Sequence, residues 1–197
     1  MHVVRTSTAN LAAVRAAFAR LGARTVVTDD ADVIRTSPRV VLPGVGAFAA
    51  ASDAIQVGGV DQAVRERVEA ERPLLAICLG LQLLAEGSEE APQVRGLGIL
   101  PGVCRRFDEA KGRVPHMGWN EVSGPGSAPM LRSGFAYFAH SYRLDDTPSG
   151  WHVAWSDYGG AFVAAVEQGP VLACQFHPEL SGSYGASLLA AWLEGAL

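Results

Sequence analysis

The sequence predicts an α/β fold in which helices cover both faces of a mostly parallel central sheet, with a small antiparallel extension. In the first half, short apolar runs alternate with segments of helical periodicity, a pattern typical of parallel strands joined by helical crossovers. In the second half, several short strands follow one another with turn residues between them. No internal repeat or linker interrupts the chain, so residues 1–197 are expected to form a single domain.

The first half contains four predicted strands and three predicted helices. The strands span residues 2–5, 24–28, 39–42 and 74–77, and the helices span residues 11–21, 61–71 and 80–86. The first helix has apolar residues at helical spacing, ends at Gly22, and has Thr8 or Asn10 as its N-cap. Residues 74–77 are apolar throughout, as expected of a parallel strand that is buried on both faces.

The second half contains four predicted strands and a last helix. The strands span residues 135–140, 151–156, 161–167 and 171–176, and the helix spans residues 184–193. The links at 157–160 and 168–170 read Asp-Tyr-Gly-Gly and Gln-Gly-Pro. Because these are turn residues, the last three strands are expected to form antiparallel hairpins.

Composition argues against several functional classes. Hydrophobic residues make up 49% of the chain and charged residues 18%, so most of it is expected to fold. The net charge of −4 and the lack of a basic block argue against nucleic acid and membrane surfaces as partners. The densest apolar stretch, residues 74–85, is shorter than the roughly 18 residues of a membrane span. An odd cysteine count and the lack of a signal peptide's apolar region favour a reduced, cytoplasmic setting.

Cys78 lies where the apolar strand gives way to a helix. A nucleophile at such a sharp turn, called the elbow below, needs small residues two positions away on either side, and Ala76 and Gly80 occupy those positions. The free N–H groups of a helix start favour the reactive thiolate. The alternative interpretation is a buried structural cysteine. That interpretation is the better one for Cys104 and Cys174, because neither lies at an elbow.

His177 is the candidate base for this thiol. Pro178 biases His177 toward an extended backbone, so its ring is expected to project from the end of a strand. Glu179 is near enough in sequence to accept a hydrogen bond from one ring nitrogen and to steady the imidazolium. A histidine before proline is more often part of a surface turn, but its combination with an elbow cysteine favours catalysis. Only the fold can join the two, because they are far apart in sequence.

The segment Pro43-Gly44-Val45-Gly46-Ala47-Phe48 follows another apolar strand. Its two glycines allow backbone N–H groups to turn toward a bound group. This suits an oxyanion hole that includes the N–H of Leu79, the residue after the nucleophile. The alternative is an ordinary strand-to-helix turn; a phosphate loop would need a longer glycine spacing and a lysine.

Together these segments resemble the class I (triad) glutamine amidotransferase family, and within it the glutaminase subunits of imidazole glycerol phosphate synthases. The elbow and the run FHPE at 176–179 are shared by the wider family. Three narrower matches are PGVGAF at 43–48, RVPHMGWN at 113–120 and YFAHSY at 137–142. The resemblance covers nearly the whole chain and implies a flavodoxin-like arrangement of the sheet.

The resemblance implies a role for each matching residue. Cys78 is expected to be the nucleophile, His177 the base and acid, and Glu179 the group that orients His177. Backbone N–H groups of Val45 and Leu79 are expected to form the oxyanion hole. Glutamine is expected to be held by Gly44, Gly46, Gln82, His140, Ser141 and Tyr142. The implied reaction passes through a thioester, needs no cofactor or metal, and supplies ammonia to the cyclase subunit of the synthase for histidine biosynthesis.

The same resemblance implies a heterodimer with that cyclase subunit. The residues expected at the interface are Asn10, His116, Met117, Trp119, Asn120 and Tyr137, and the alternative for 116–120 is a packed turn. Two segments depart from the family: residues 5–9 lack its acidic-aromatic-glycine run, and Leu180 stands where a lysine is usual. The form FHPEL also occurs in the glutaminase subunit of pyridoxal phosphate synthase, which is the alternative enzyme. An amidotransferase-like binding module without activity is the alternative of a different class.

Overall fold

The computed structural model of the chain describes residues 1–6 and 10–195. The strands in these ranges are β1 His2–Val4, β2 Val26–Thr28, β3 Val40–Gly44, β4 Leu74–Cys78, β5 Gly87–Ser88, β6 Val103–Arg106, β7 His116–Val122, β8 Gly134–His140, β9 Tyr142–Arg143, β10 His152–Asp157, β11 Ala161–Gln168 and β12 Val171–Cys174. The helices are α1 Leu11–Arg20, α2 Ala31–Thr36, α3 Phe48–Gln56, α4 Val60–Glu69, α5 Leu79–Leu84 and α6 Gly182–Glu194, with short 3-10 helices at Val57–Gly59 and Pro178–Leu180. None of these helices is long and apolar enough to cross a membrane.

A seven-stranded sheet in the order β10-β11-β12-β4-β3-β1-β2 forms the centre of the fold. The strands from β12 to β2 are parallel to their neighbours, and β11 is antiparallel to both β10 and β12. The predicted fold class is therefore confirmed, and so are the predicted hairpins among the last three strands. These hairpins extend the parallel sheet at one edge.

The predicted strand at 135–140 lies outside the main sheet. It corresponds to β8, which pairs antiparallel with β7 over its whole length, from His116 opposite His140 to Val122 opposite Gly134. The sequence did not predict β7. Alternate residues of this strand turn inward, and those at 118 and 120 are glycine and asparagine, while Met117 and Trp119 turn outward. Because the usual apolar-in, polar-out alternation is absent, periodicity could not reveal the strand.

Helices α2 and α3 and strand β6 were also missed. Helix α2 has only six residues and one buried residue, Ile34, which is too little to produce a visible apolar face. Its start is nevertheless well defined, because the Asp30 carboxylate accepts hydrogen bonds from the N–H groups of Asp32 and Val33 at 2.9 and 3.1 Å. The predicted N-cap of α1 is present: Asn10 accepts from the Ala13 N–H at 3.3 Å. The alternative cap, Thr8, lies outside the described residues.

The hydrophobic core lies on both faces of the sheet. On one face, helices α2 to α5 pack against side chains such as Val4, Leu42, Leu74 and Ala76. On the other face, α1 and α6 cover the alternate strand residues, among them Leu75. Alternate residues of a strand point to opposite faces, and β4 is buried along its whole length. The prediction of a strand buried on both faces is therefore confirmed.

Three neighbouring strands of the sheet end at one edge. Gly44 at the end of β3 is in register with Cys78 at the end of β4, and Cys174 at the end of β12 is in register with Ile77. Carboxyl ends of parallel strands are the usual place for ligand sites in open α/β sheets. This edge brings the segments that follow residues 44, 78 and 174 next to one another.

A buried arginine joins two helices to the start of β4. The Arg67 side chain in α4 has no solvent exposure, and its guanidinium donates hydrogen bonds to the carbonyl of Pro73 at 2.8 and 3.0 Å and to that of Ile34 at 2.9 Å. Burial lowers the pKa of Arg67 to about 10, so the group remains charged at neutral pH. Its hydrogen bonds therefore satisfy the buried Ile34 carbonyl and add to the bond that the Pro73 carbonyl accepts from the Val40 N–H at 3.2 Å.

We expect the substitution Arg67→Met to lower the free energy of unfolding by about 1 to 3 kcal/mol, because the buried Ile34 carbonyl loses its donor and the Pro73 carbonyl keeps only the Val40 N–H. Urea unfolding followed by circular dichroism measures this loss. Arg72→Met is the matched control, because Arg72 is exposed and its guanidinium also donates to two backbone carbonyls. Equal stability losses in the two variants would contradict the importance of the buried contacts.

Candidate active site

The chain bends sharply at Cys78, between β4 and α5. Cys78 has φ of 54° and ψ of −108°, a strained backbone conformation for a residue with a side chain. The bend places the backbone close to β3, since a Cβ atom on Gly80 would lie 2.1 Å from the carbonyl oxygen of Leu42. Only glycine fits at that position. The elbow predicted from the sequence is therefore present, with the small residue it requires.

Cys78 is 5% exposed as a residue. Its sulphur faces several polar groups. Its Sγ lies 4.0 Å from the carbonyl oxygen of Ala139 and 3.7 Å from the side-chain Nε2 of Gln175. Cys78 also interacts with the His177 side chain, and this interaction raises the pKa of the ring. A partly accessible thiol among polar groups differs from a structural cysteine, which is surrounded by apolar side chains.

The backbone of His177 is firmly held and extended, as the following proline predicts, with φ of −98° and ψ of 94°. Its N–H donates to the carbonyl of Tyr137 at 2.9 Å. Its own carbonyl accepts from the Ser181 hydroxyl at 2.6 Å and from the Leu180 N–H at 3.0 Å. These bonds fix the position from which the imidazole reaches the elbow.

His177 and Glu179 form a buried pair. The ring Nδ1 lies 2.8 Å from Glu179 Oε1, so Nε2 is the nitrogen left to face the sulphur of Cys78. Burial by itself lowers the pKa of His177, but hydrogen bonds and charges from Cys78 and Glu179 outweigh burial and raise the pKa to about 10. The ring is therefore poised to hold a proton beside the sulphur, as a Cys–His pair in a nucleophilic enzyme requires.

A cleft of about 200 Å³ opens beside the sulphur. Its lining combines residues that follow β3, residues at the turn from β4 to α5, and residues from strands and loops between 90 and 142: Val45, Gly46, Cys78, Leu79, Gln82, Glu90, Pro115, Met117, Ala139, His140, Ser141 and Tyr142. Among the residues predicted to bind glutamine, Gly44 is the exception. It lies in β3 beside Cys78, and a Cβ atom on it would lie 2.8 Å from the Leu79 side chain. Its role in this fold is to let α5 pack closely.

Two polar residues of the site were missed by sequence reasoning. Glu90 lines the cleft, and its Oε2 accepts from the N–H of Phe48 at 3.0 Å. It follows another glutamate in a short polar loop, so no pattern separated it from its neighbour. Gln175 contacts the sulphur from the core side and has no solvent exposure. The available signal for Gln175 was an amide near the end of an otherwise apolar strand, two residues before His177.

A chain of hydrogen bonds runs behind the cleft. His140 Nδ1 donates to the carbonyl of Tyr142 at 2.9 Å, so its Nε2 accepts from His116 Nδ1 at 3.1 Å. His116 Nε2 then faces the side-chain amide of Asn120 at 3.4 Å. Burial lowers the pKa of His116 to about 4 and that of His140 to about 3, so both rings are neutral at physiological pH. Since both nitrogens of His140 are occupied, this residue contributes the shape of the cleft wall.

An apolar surface lies next to the cleft. We call it the hairpin face, and it consists of Met117, Trp119, Phe135, Tyr137 and Leu180. Met117, Trp119 and Phe135 are 64%, 58% and 60% exposed, and Leu180 is 43% exposed. Tyr137 is half-buried and packs edge-on against Trp119, with ring centroids 6.3 Å apart. Exposed apolar patches of this kind are typical of protein interfaces.

The other residues predicted at a partner interface lie in different surroundings. His116 is 3% exposed and stacks against Phe138 and Tyr158, so it lies behind the hairpin face and not on it. Asn120 is partly buried, and its amide also donates to the carbonyl of Asp157 at 2.8 Å. Asn10 is exposed at the start of α1. In the atypical segment 5–9, Arg5 lies 3.5 Å from the Asp29 carboxylate, and residues 7–9 lie outside the described residues.

This fold and this site define a class of protein. Residues 7–194 match the family model for glutamine amidotransferase class-I, and the chain belongs to that family. A crystal structure of a glutamine amidotransferase superposes with a TM-score of 0.78 at 25% identity, covering 99% of this chain and 98% of that one. The glutaminase domain of Trypanosoma brucei CTPS, at 16% identity and a TM-score of 0.72, shares the fold.

Proteins similar in sequence indicate which type of glutamine amidotransferase this chain is. The chain is 42% identical over 186 residues to the imidazole glycerol phosphate synthase subunit HisH of Deinococcus radiodurans, covering 92% of this chain and 86% of that protein. Identity to the HisH subunit of Mycobacterium tuberculosis is 39% over 194 residues, with 94% and 93% covered. The chloroplastic hisHF protein of Arabidopsis thaliana is 40% identical over 194 residues, 95% of this chain and 33% of its own length. Within the family, the chain is therefore of the HisH type.

We expect stability to fall as the pH drops from about 6.5 to about 4. The pKa values of His116 and His140 are lowered in the folded chain, so the unfolded chain binds protons over this range that the folded chain does not. The contribution of these two neutral rings to stability is fully present above pH 6.5. Below that pH, each ring lowers the free energy of unfolding by on the order of 1 kcal/mol per pH unit. Urea unfolding at several pH values measures the slope.

A His116→Gln variant tests the origin of this slope. It should have a shallower dependence on pH than the unmodified chain, because one of the two buried rings no longer titrates. His152→Gln is the control, because His152 is exposed at the start of β10. Stability that stays constant between pH 6.5 and 4 would contradict the burial of two neutral rings.

Proposed function

We propose that this chain hydrolyses glutamine at Cys78 and supplies the ammonia to the cyclase subunit of imidazole glycerol phosphate synthase for histidine biosynthesis. The observation that carries the proposal is the strained elbow at Cys78, which lines the cleft and interacts with the buried His177–Glu179 pair. Membership of the class I glutamine amidotransferase family and the HisH relatives agree with it. We also propose that residues 1–197 form a single glutaminase domain.

The proposed reaction begins with the pair of Cys78 and His177. The sulphur attacks the side-chain amide carbon of glutamine, and the N–H groups of Val45 and Leu79 stabilise the negative oxygen that forms. His177 then gives a proton from Nε2 to the departing ammonia, which leaves a γ-glutamyl thioester. Next, the neutral imidazole takes a proton from water, the resulting hydroxide attacks the thioester, and glutamate leaves as the sulphur is released. Glu179 stabilises the imidazolium through its bond to Nδ1.

The cleft offers complementary groups to the charged end of glutamine. The Gln82 Nε2 already donates to Tyr142 and Gln175, so its Oε1 is the atom that can accept a hydrogen bond from the α-ammonium group. The carboxylate of Glu90 supplies a negative charge at the same cleft. We assign the α-carboxylate to the backbone and hydroxyl groups of Gly46, Ser141 and Tyr142. In this assignment His140 shapes the cleft and does not bind glutamine.

The hairpin face is the proposed docking surface for the cyclase subunit. Met117 belongs both to this face and to the cleft lining, so the cleft opens beside the surface that the partner would cover. Leu180 replaces a charged residue of the family and enlarges the apolar area. Two residues further on, the chain comes close to Trp119, since a Cβ atom on Gly182 would lie 3.6 Å from the Trp119 ring. Burial of this area on association would favour the heterodimer.

Three cysteines support a reducing compartment, which we propose to be the cytoplasm. Cys78, Cys104 and Cys174 are all free and buried. Burial raises the pKa of Cys104 to about 12 and that of Cys174 well above its usual value, so both remain thiols. Cys78 alone faces the cleft, and it needs to stay reduced in order to react.

We expect the full chain to release glutamate from glutamine, weakly alone and faster with the cyclase subunit. Cys78→Ala should lower the rate by at least about a thousandfold, because the covalent step is lost. Cys104→Ala and Cys174→Ala are matched controls that remove inert thiols and should retain activity. A coupled glutamate assay measures all four proteins in both conditions.

The same assay separates the alternatives. Absence of glutamate release from the unmodified chain, with and without the cyclase, would contradict the enzyme and favour a binding module. Stimulation by the synthase barrel of pyridoxal phosphate formation, and not by the cyclase, would favour the other glutaminase subunit.

A further inference from the structure

The geometry points to Gln175 as a further catalytic residue, one that donates a hydrogen bond to the nucleophilic sulphur of Cys78 from the core side. Its side-chain Nε2 lies 3.7 Å from Cys78 Sγ. This inference rests on the proposed function, because it assigns Gln175 a part in the same reaction. Gln82 acts through Gln175 as a positioning residue, since it fixes the orientation of the Gln175 amide.

The sheet register brings Gln175 to the sulphur. Strand β12 runs parallel to β4, with Ala173 opposite Ala76 and Cys174 opposite Ile77. The next residue on each strand is therefore Gln175 on one side and Cys78 on the other. The N–H of Gln175 donates to the carbonyl of Ala164 at 2.8 Å, which ties its backbone to β11. Gln175 thus lies on a rigid element beside the nucleophile.

The orientation of the Gln175 amide follows from a group that can only accept. The backbone carbonyl of Tyr142 accepts from Gln82 at 2.9 Å, so the atom of Gln82 that faces it is Nε2. The same Nε2 lies 3.1 Å from the Gln175 amide, which must therefore present its oxygen, Oε1. Nε2 of Gln175 is then the atom directed at the sulphur. His140 holds the Tyr142 carbonyl from the other side at 2.9 Å.

A donor at this place serves the chemistry of the sulphur. The carbonyl oxygen of Ala139, 4.0 Å from Sγ, carries partial negative charge and opposes formation of a thiolate. The N–H of Gln175 opposes that effect, because a hydrogen bond to the charged form of a group favours that form. An amide does not titrate, so its assistance is present at every pH and at every protonation state of His177. It stabilises the sulphur both before attack and when the thioester breaks down.

Both side-chain amides, those of Gln175 and Gln82, are buried, so a lost hydrogen bond at either one is unfavourable. Gln175 has no exposure and Gln82 is 4% exposed, so neither amide can turn to bulk water. Buried amides need partners within the protein. A purely structural role for Gln175 would also satisfy this need, so the test uses the reactivity of the sulphur as a function of pH, which packing alone would not shift.

The experiment measures alkylation of Cys78 by iodoacetamide in the full chain across the neutral pH range, with mass spectrometry of the Cys78 peptide. Gln175→Met keeps the length of the side chain but removes the donor. We expect its alkylation rate at neutral pH to fall by about tenfold, and the pH midpoint to rise by about one unit. Gln168→Met is the matched control. Gln168 lies at the far end of β11, and its exposed side-chain amide donates one hydrogen bond, to the Gly150 carbonyl at 3.2 Å, which the substitution removes. Its profile should match that of the unmodified chain.

A second variant tests the positioning role. Gln82→Met leaves Gln175 in place but frees its Oε1, and we expect a midpoint shift in the same direction and of smaller size. The double variant should shift no further than Gln175→Met alone, because Gln82 acts through Gln175. Fully additive shifts would overturn the positioning role. Should Gln175→Met fail to fold, as judged by circular dichroism, an unchanged midpoint in Gln82→Met would overturn the inference.

A midpoint for Gln175→Met equal to that of the unmodified chain would also overturn it. Alkylation requires no glutamine, so this outcome is independent of the proposed function. If the unmodified chain releases no glutamate but the midpoint shifts as expected, the proposed function fails and the hydrogen bond to the sulphur stands.

Discussion

The close approach of α5 to β3 is the constraint on which the site depends. Gly80 lies against the carbonyl of Leu42, with no room for a side chain, and this contact holds Cys78 in its strained conformation. Strain of this kind costs on the order of 1 to 3 kcal/mol and persists only where the surroundings impose it. Here the surroundings are a strand buried on both faces and an entirely buried helix. The core thus stabilises a backbone that points a sulphur into the cleft.

Buried polar groups connect this bend to the rest of the site. The carbonyl of Tyr142 accepts from both Gln82 and His140, and these two donors lead in opposite directions, one toward the sulphur and one toward β7. Because a carbonyl can only accept, it determines the orientation of every amide and the tautomer of every ring along both branches. A network in which each member has one arrangement is rigid, and a rigid site can hold reacting groups in place.

The hairpin of β7 and β8 combines this network with an exposed apolar surface. Its inward side carries His116 and Asn120, and its outward side carries Met117 and Trp119, the reverse of the usual distribution. The arrangement is reasonable if a partner covers the outward side, while the polar inward side serves the cleft. It also explains why this strand escaped sequence-based prediction, whereas the uniformly apolar β4 did not. Short helices such as α2, with one buried residue, escaped for lack of a pattern.

The sequence by itself determined the fold class, the parallel strand before Cys78, the hairpins at the C-terminal edge and the candidate triad, because these depend on local patterns. Pro178 determined the extended backbone of His177 for the same reason. Only the tertiary structure decided that Gly44 serves packing, that both nitrogens of His140 are occupied, and that Gln175 and Glu90 belong to the site. Those facts depend on which strands are neighbours and in what register. Residues far apart in sequence meet only through that pairing, and no local pattern records it.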